Sequence, residues 1–349
     1  MPKIAAEKLE KIAARLLKGA GASAEEAAII ASHSIGANLA GHDSHGIIQI
    51  PVYIDRVKKE HIIPGAKFEI VRETPCTTVI DGHWGFGYVV SERAMKITIE
   101  KALKNGVAAT TVYHQSHVGR VADYPIMAGK QGLIGMMTAD SGRSPKTVAP
   151  FGGREPRLGT NPISICMPSN LEGPFYIDMA TSAAAAGKLK VAQTRGKPIP
   201  EGWVLDKNGN PTTDPNAVKQ GGVILPLGGP EGHKGYGLSA MIEVFSGILT
   251  GLGFGVEPTG KHNDGVFMAA FKVDAFRDLE TFKQEVTDFA NYLKATPKAA
   301  GVDEIYYPGE IEHQRTQAQL KSGIDVEDKT WAELKKLAEE YGAVKELGM

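Results

Sequence analysis

The chain has 349 residues, with 39 lysines and arginines, 40 aspartates and glutamates and a formal net charge of -1 at pH 7. Charges of both signs are interspersed, so the sequence offers no basic surface and argues against a nucleic-acid partner. The length exceeds that at which a single hydrophobic core usually stops growing, which favours about two domains.

Targeting and membrane patterns are not evident. The N-terminal pattern is amphipathic and rich in Lys and Glu, so no signal peptide is expected. The most apolar window, residues 237–256, is interrupted by Glu243 and by glycines, which favours a buried helix and loop over a membrane span. Cys76 and Cys166 are the only cysteines, too few for a disulfide framework. We therefore expect a cytoplasmic protein without a membrane partner.

Hydrophobic periodicity predicts helices at the start of the chain. A first helix is predicted over residues 3–18 and a second over 23–40, where the spacing of a capping box marks its start and Gly41 its end. A third helix is predicted from residue 47 toward 59. The segment between the second and third helices, His42-Asp43-Ser44-His45-Gly46, is dense in polar groups.

Strand and helix patterns alternate after that segment, which is typical of an α/β fold whose ligand groups gather where strands give way to loops. The strands are predicted at residues 68–72, 77–80, 107–113, 133–138, 163–167, 175–179 and 266–273. The helices are predicted at residues 91–104, 121–130, 236–250, 278–294, 311–321 and 331–341. Residues 198–226 are rich in Pro, Gly, Asn and Thr and indicate a long ordered loop or an insertion.

Compact polar motifs recur later in the chain. They are Ser116-His117-Val118-Gly119, Gly159-Thr160-Asn161-Pro162, Asp178-Met179-Ala180-Thr181 and His233-Lys234-Gly235-Tyr236-Gly237. Together with the histidine-dense segment they predict one assembled active site. His117 is the better candidate base, because imidazole has a near-neutral pKa and Ser116 and Arg120 could orient it and hold an anion.

Two other classes of site stay open at this stage. His42, Asp43 and His45 are a possible ligand set for a metal-dependent hydrolase, although no second cluster with metal-ligand spacing follows and Asp43 equally suits a helix cap. A non-catalytic ligand-binding protein is the third alternative. No metal is predicted. The sequence also has no Gly-x-Gly-x-x-Gly turn between an early strand and a helix, which argues against a Rossmann fold.

Seven motifs, taken in order, resemble the non-Rossmann malate/L-lactate dehydrogenase family, and especially its hydroxycarboxylate dehydrogenase B branch. They are residues 37–46, 149–152, 158–162, 178–182, 211–215, 233–237 and 307–310. The resemblance implies a mixed-sheet NAD(P)-binding domain over residues 121–305. It also implies a helical, substrate-binding domain built from both chain ends, residues 1–120 and 306–349.

The same resemblance implies hydride transfer between nicotinamide and C2 of a 2-hydroxy or 2-oxo carboxylic acid, of the malate, lactate or larger hydroxycarboxylate type. A cyclic imine-2-carboxylate reductase is the alternative within the family. The implied cofactor is NAD or NADP, with NAD favoured, and the implied assembly is a homodimer or a dimer of dimers.

Residue roles follow from the resemblance. His117 matches the family's proton donor and acceptor, His45 lies by the nicotinamide and substrate, and Asp178 completes the catalytic candidates. The predicted cofactor contacts are His45, Ser141, Thr160, Asn161, Asp178, Met179, Ala180, Lys234, Gly235, Pro308, Gly309 and Glu310. The predicted substrate contacts are Ser44, Gln49, Tyr53, Arg143 and Lys146.

Gln49 departs from the family pattern. Many members have an arginine at this position, suited to clamp a substrate carboxylate, and a neutral amide cannot replace its bidentate charge. We expect Arg143 or Lys146 to supply the missing cation. The sequence does not determine the acid, the stereochemistry, the physiological direction or the choice between NAD and NADP.

Overall fold

The computed structural model describes residues 1–140 and 143–344. The strands are β1 (Lys3–Ile4), β2 (Glu69–Glu73), β3 (Thr77–Gly85), β4 (Val107–Gln115), β5 (Leu133–Ala139), β6 (Ile163–Met167), β7 (Phe175–Met179), β8 (Val204–Leu205), β9 (Pro211–Thr212), β10 (Val223–Ile224), β11 (Val266–Lys272) and β12 (Ile324–Asp325). The helices are α1 (Ala6–Gly19), α2 (Ala24–Leu39), α3 (Ile50–Lys58), α4 (Gly87–Asn105), α5 (Asp123–Gly129), α6 (Ala186–Arg195), α7 (Gly232–Glu243), α8 (Leu279–Lys294), α9 (Glu310–Ser322) and α10 (Asp328–Glu340).

A seven-stranded mixed sheet forms the centre of the fold, in the order β2-β3-β4-β11-β5-β6-β7. The β3–β4 pair is parallel, and each other neighbouring pair in this sheet is antiparallel. β11 comes late in the chain but lies between β4 and β5, with Val266 opposite both Val112 and Ala139. This insertion brings the segment that precedes β11 to the end of β4.

Helices from both chain ends pack together beside the sheet. α1 packs on α2 and α3, α10 packs on α3, and β1 pairs with β12. The apolar residues at helical spacing in α1, such as Leu9, Ile12 and Leu16, are fully buried. Burying each such side chain stabilises the fold by about 1.5–3 kcal/mol. The capping box of Ser23 and Glu26 is present at the start of α2.

The prediction of a mixed-sheet α/β fold with helices from both chain ends is confirmed. The division into two domains at residues 120/121 and 305/306 stays a prediction, and the central sheet takes strands from both sides of the first boundary. None of the described helices combines the length and the apolar composition that a membrane crossing requires.

Some predicted elements have different limits in the structure. α4 begins at Gly87 rather than residue 91, because its first turn packs against the loop after β4, where a Cβ on Gly87 would lie 2.2 Å from the Ser116 carbonyl oxygen. α7 begins at Gly232 and passes into a π-helical turn, Val244–Ile248. The predicted loop over residues 198–226 contains a small sheet in the order β10-β8-β9.

Candidate active site

Two of the predicted catalytic histidines are in contact. His45 ends the first of two short 3-10 turns between α2 and α3, and His117 lies just after β4. His45 Nδ1 is 3.3 Å from His117 Nε2, and the two rings stack with their centroids 5.2 Å apart. The hydroxyl of Tyr53, on α3, is 2.7 Å from His117 Nδ1. The turn before α3, α3 itself and the end of β4 therefore meet at His117.

Asn38, at the end of α2, organises the turn that carries His45. Its amide nitrogen donates to Asp43 Oδ1 at 2.7 Å, and its carbonyl oxygen accepts from the Ile47 backbone N–H at 2.7 Å. The Tyr88 hydroxyl donates to the His45 backbone carbonyl at 2.9 Å. The carboxylate of Asp43 thus shapes the turn through Asn38 and does not cap a helix, because the N-cap of this turn is His42 and no side-chain cap is present there.

The structure does not favour the metal-hydrolase alternative. Within residues 1–140 and 143–344, no group of three or more His, Cys, Asp or Glu side chains is arranged to hold a metal ion. Asp43 accepts from Asn38, and burial together with the charge of Arg120 lowers the pKa of His42 to about 4.

Segment 262–264, immediately before β11, completes the surroundings of His117. The His262 ring meets the His117 ring edge-on at 5.7 Å between centroids. The Asp264 carboxylate accepts from the Val118 backbone N–H at 2.9 Å, and the Asp264 N–H donates to the Gln115 carbonyl at 3.0 Å. His262 and Asp264 were not among the predicted site residues. Their signal in the sequence is a run of polar residues before a strand, whereas the predicted strand-end motifs follow strands.

Burial sets the protonation of the histidine pair. Desolvation lowers the pKa of His117 well below its usual value, and the neighbouring His45 lowers it further, while Asp264 opposes the shift. Burial also lowers the pKa of His45. Both rings are therefore neutral near pH 7, and a neutral imidazole is able to accept a proton.

A second cluster of buried charges lies next to the histidine pair. Arg120 donates to the Tyr176 hydroxyl at 2.6 Å and lies 3.2 Å from Asp123. His33 joins this cluster, with its two ring nitrogens 3.0 Å from Asp123 and 2.8 Å from Glu92. Tyr88 joins the two clusters, because its ring stacks on His33 with 5.1 Å between centroids and its hydroxyl donates to the His45 carbonyl at 2.9 Å.

Asp178 belongs to this second cluster rather than to the contacts of His117. Its carboxylate accepts from the Ala122 backbone N–H at 3.2 Å. Burial raises the pKa of Asp178 to about 6, against the lowering effect of the nearby Arg120. As expected for an acid at the end of an apolar strand, it is held by a cation and a backbone donor.

The structure places several predicted cofactor contacts side by side at the ends of β6 and β7. Ile163 is opposite Met179 in the sheet, and the Thr181 backbone N–H donates to the Thr160 carbonyl at 2.9 Å. The Thr181 hydroxyl donates to the Asn161 carbonyl at 2.9 Å. Thr160 and Asn161 therefore adjoin the segment from Asp178 to Ala180.

Residues 308–310 lie along β7 on the side away from β6. The Pro308 carbonyl accepts from the Tyr176 backbone N–H at 3.1 Å. Glu310 is buried, accepts from the Tyr307 backbone N–H at 3.0 Å and forms an ion pair with Lys294. A Cβ on Gly309 would lie 2.5 Å from the Pro174 carbonyl oxygen, so this position requires glycine.

Both predicted substrate cations face carboxylates. Lys146 lies 3.4 Å from Glu243, and both side chains are buried. Glu243 also accepts from the Asn161 amide at 2.9 Å, so Lys146 and Asn161 share this partner. Arg143 lies 3.3 Å from Glu257. Lys146 and Glu243 line a largely apolar cavity of about 680 Å³ between α7 and the segments around residues 156 and 255.

The remaining predicted contacts have other partners in the structure or lie outside the described residues. Lys234, on the first turn of α7, is exposed and 3.1 Å from Glu231, with no contact to the histidine pair. Gly235 packs against the Leu227 backbone, where a Cβ would lie 2.0 Å from its carbonyl oxygen. Gln49 donates to the Ser44 carbonyl at 2.7 Å. Ser141 lies outside the described residues.

A family model described as malate/L-lactate dehydrogenase matches residues 4–335 of this chain. The chain belongs to the malate/L-lactate dehydrogenase family. Similar proteins include the malate dehydrogenase of Pyrococcus abyssi, 37% identical over 348 residues, which cover 97% of this chain and 95% of that protein. The malate/(S)-sulfolactate dehydrogenase of Methanothermus fervidus is 38% identical over 343 residues, 97% of each chain.

The solved structures agree with this family membership. The crystal structure of malate dehydrogenase from Entamoeba histolytica matches with a TM-score of 0.93 and 36% identity, covering 98% of each chain. The predicted family is therefore confirmed, and with it an oxidoreductase of the dehydrogenase type that uses a nicotinamide cofactor.

The second cluster gives a prediction for stability. Burial disfavours the charged form of His33, but the carboxylates of Asp123 and Glu92 outweigh it and raise the pKa from 6.5 to about 9. Because the folded-state pKa is the higher one, this contribution is fully present below pH 6.5 and is lost as the pH rises through about 9.

Replacing His33 by Gln is therefore expected to lower the free energy of unfolding most at pH 6.5 and progressively less toward pH 9. Urea unfolding of His33→Gln and of the unchanged protein across this range measures the difference. The control is His233→Gln, an exposed histidine 3.8 Å from Glu231. A His33→Gln difference that does not vary with pH would contradict the assignment.

Proposed function

We propose that this protein is an NAD(P)-dependent dehydrogenase that transfers a hydride between nicotinamide and C2 of a 2-hydroxy or 2-oxo carboxylic acid. His117 is its acid and base. The observation that carries the proposal is the partly buried, neutral imidazole of His117 held between the Tyr53 hydroxyl and His45.

The tautomer of His117 follows from its partners. When the Nδ1–H donates to the Tyr53 hydroxyl, Nε2 has the lone pair, and a bound substrate hydroxyl takes the place of His45 Nδ1, which lies 3.3 Å from Nε2. In the oxidation direction Nε2 takes the proton of the substrate hydroxyl as the C2 hydrogen leaves with its electron pair. In reduction the protonated ring returns the proton to the forming alkoxide. The bound nicotinamide ring supplies or accepts the hydride, and burial of the site limits exchange of the proton with water.

The residues at the ends of β6 and β7 fit a dinucleotide in their chemistry. They combine the Asp178 carboxylate, the Thr160 hydroxyl and the backbone of Met179 and Ala180, which are groups that bind ribose hydroxyls and amides. The proposal keeps NAD as the favoured cofactor over NADP. It also keeps Lys234 and residues 308–310 as cofactor contacts.

The substrate in this proposal is a 2-hydroxy acid of the malate, lactate or larger hydroxycarboxylate type. Relatives are named for malate and for malate together with (S)-sulfolactate, both of them 2-hydroxy acids with a second anionic group. A panel of 2-oxo acids and cyclic imine-2-carboxylates, each with NADH and with NADPH, tests the activity by the loss of nicotinamide absorbance. Oxidation of neither nucleotide with any compound would refute the proposal.

Replacing His117 by Ala is expected to lower turnover about a hundred- to ten-thousand-fold, because the proton acceptor is removed. Binding of NAD(P)H, measured by its fluorescence, should change little. The matched control is His61→Ala, at a histidine just after α3, which should leave turnover unaltered. Turnover of His117→Ala within a few-fold of the unchanged protein would exclude His117 as the base.

The cation that binds the substrate carboxylate is proposed to be Arg143 or Lys146, each of which exchanges its carboxylate partner for the substrate. A charge-assisted hydrogen bond is worth about 1.5–3 kcal/mol, so Lys146→Met or Arg143→Gln is expected to raise KM about tenfold or more while kcat changes less. Lys219→Met, at an exposed lysine, serves as control. An unchanged KM in the variant that combines both substitutions would remove this assignment.

A homodimer is part of the proposal. Large apolar side chains are exposed along α7 and the segment that follows it. They are Met241, Val244, Ile248, Leu249, Phe254 and Val256, with 43–75% of their surface accessible. Contiguous exposed apolar area of this kind marks association surfaces.

Light scattering is expected to give a mass of twice 37.2 kDa. Leu249→Asp should shift the protein toward the monomer, because it places a charge in the apolar surface. Val71→Asp, on the exposed edge strand β2, is the matched control. A monomeric mass for the unchanged protein would contradict the dimer.

A further inference from the structure

We propose that Gln319, on α9, is a positioning residue for His45. It holds the end of α2 in the place from which Asn38 fixes the turn that carries His45. The role of His45 rests on the proposed function, in which His117 exchanges the proton and His45 is held against it. Gln319 acts through α2 and the turn rather than on the substrate.

The side-chain amide of Gln319 binds the end of α2. Its Nε2 donates to the Asn38 carbonyl at 3.0 Å and to the Leu39 carbonyl at 3.2 Å. The last four carbonyl groups of a helix have no partner within the helix, and they form the negative end of its dipole. Gln319 therefore supplies the donors that this end of α2 needs, from a position 280 residues after Leu39.

A second contact holds α9 against the same place. The Gly41 N–H donates at 2.8 Å to the Asn38 carbonyl, the same oxygen that accepts from Gln319. A Cβ on Gly41 would lie 2.9 Å from Arg315 Cδ, so α9 packs closely on the backbone that leaves α2. Arg315 and Gln319, one turn apart on α9, therefore contact the chain on both sides of the last residue before Gly41.

Asn38 links the end of α2 to the turn. Its side-chain oxygen accepts from the Ile47 N–H and its side-chain nitrogen donates to Asp43, both at 2.7 Å. A Cβ on Gly46 would lie 2.1 Å from the Asn38 side-chain oxygen, so the backbone next to His45 packs directly on this side chain. A displacement of Asn38 therefore displaces the residues on both sides of His45.

α9 is also anchored at its other end. Its first residue, Glu310, is buried and forms an ion pair with Lys294. Just before the helix, the Pro308 carbonyl accepts from the Tyr176 N–H of β7 at 3.1 Å. α9 is therefore fixed to the edge of the central sheet at its start, and it presents Gln319 to α2 from a defined position.

The two ends of α9 have separate contacts, and this separation defines what Gln319 controls. Residues 308–310, which the proposed function assigns to the cofactor, are held by Tyr176 and Lys294 at the start of the helix. A change at Gln319 is therefore expected to impair the catalytic step, through His45, and to leave the affinity for NAD(P)H unaltered. A general loss of structure would impair both.

Gln319→Glu and Gln319→Lys are expected to have different effects. The glutamate has nearly the same shape, but its ionised carboxylate cannot donate and would face two carbonyl oxygens at the negative end of α2. A misplacement of about 1 Å can lower a rate about a hundredfold, so kcat should fall about tenfold or more. The lysine keeps a donor and adds a cation that suits this end of the helix, so kcat should stay within about threefold of the unchanged protein.

The first experiment measures kcat and the dissociation constant of NAD(P)H, by its fluorescence, for the unchanged protein, Q319E and Q319K. Gln317→Glu is the matched control, because Gln317 is exposed on the same helix, and it should alter neither quantity. If Q319E does not fold, Q319L takes its place, since it removes both donors without adding a charge. An unaltered kcat in Q319E, an equal loss in Q319K, or equal losses of kcat and of NAD(P)H affinity would overturn the proposal.

The second experiment needs no substrate, so it separates failure of this inference from failure of the proposed dehydrogenase activity. NMR with ¹⁵N-labelled histidine records the ring signals of His45, which are assigned by through-bond correlation with its backbone. Because this ring stacks on His117 with its Nδ1 3.3 Å from His117 Nε2, a displaced turn should shift the signals in Q319E but not in Q319K or Q317E. Unshifted His45 signals in Q319E would refute the positioning role. Shifted signals in a protein without dehydrogenase activity would support it and contradict the proposed function alone.

Discussion

The partial burial of His117 is the constraint on which the site depends. An imidazole in water is partly protonated near neutral pH, but burial disfavours its charged form and leaves the ring ready to accept a proton. That burial requires the 3-10 turn with His45, the face of α3 with Tyr53 and the end of β4 to close around one ring. The fold therefore brings these three segments into contact around His117.

The position of β11 in the sheet brings a further segment against His117. Because β11 pairs with β4, the residues just before β11 lie along the end of β4. The Asp264 carboxylate and the His262 ring are therefore next to His117. A second group of charges, from Arg120 to Glu92, is neutralised internally and lies next to the first. The site thus combines neutral rings with charged groups that are paired among themselves.

Local patterns predicted much of this structure, and long-range pairing explains what they missed. β6 and β7 have the predicted limits, because each is an apolar run bounded by turn residues. His45 and His117 carried local signals, Tyr53 was implied by the family resemblance, and the structure brings the three together. His262 and Asp264 did not stand out, since their role depends on β11 entering between β4 and β5. α6 was not predicted, because its Ala-, Lys- and Gly-containing sequence gives little amphipathic contrast.

Because β1 pairs with β12 and α10 packs on α3, the N-terminal part of the fold is completed only late in synthesis. The first 60 residues cannot complete their core until residues 324–340 have been synthesised. At about 5–20 residues per second, translation of the intervening segment takes about 13–53 s. During that interval α3 lacks the cover that α10 provides, so the nascent chain exposes a surface on which chaperones act.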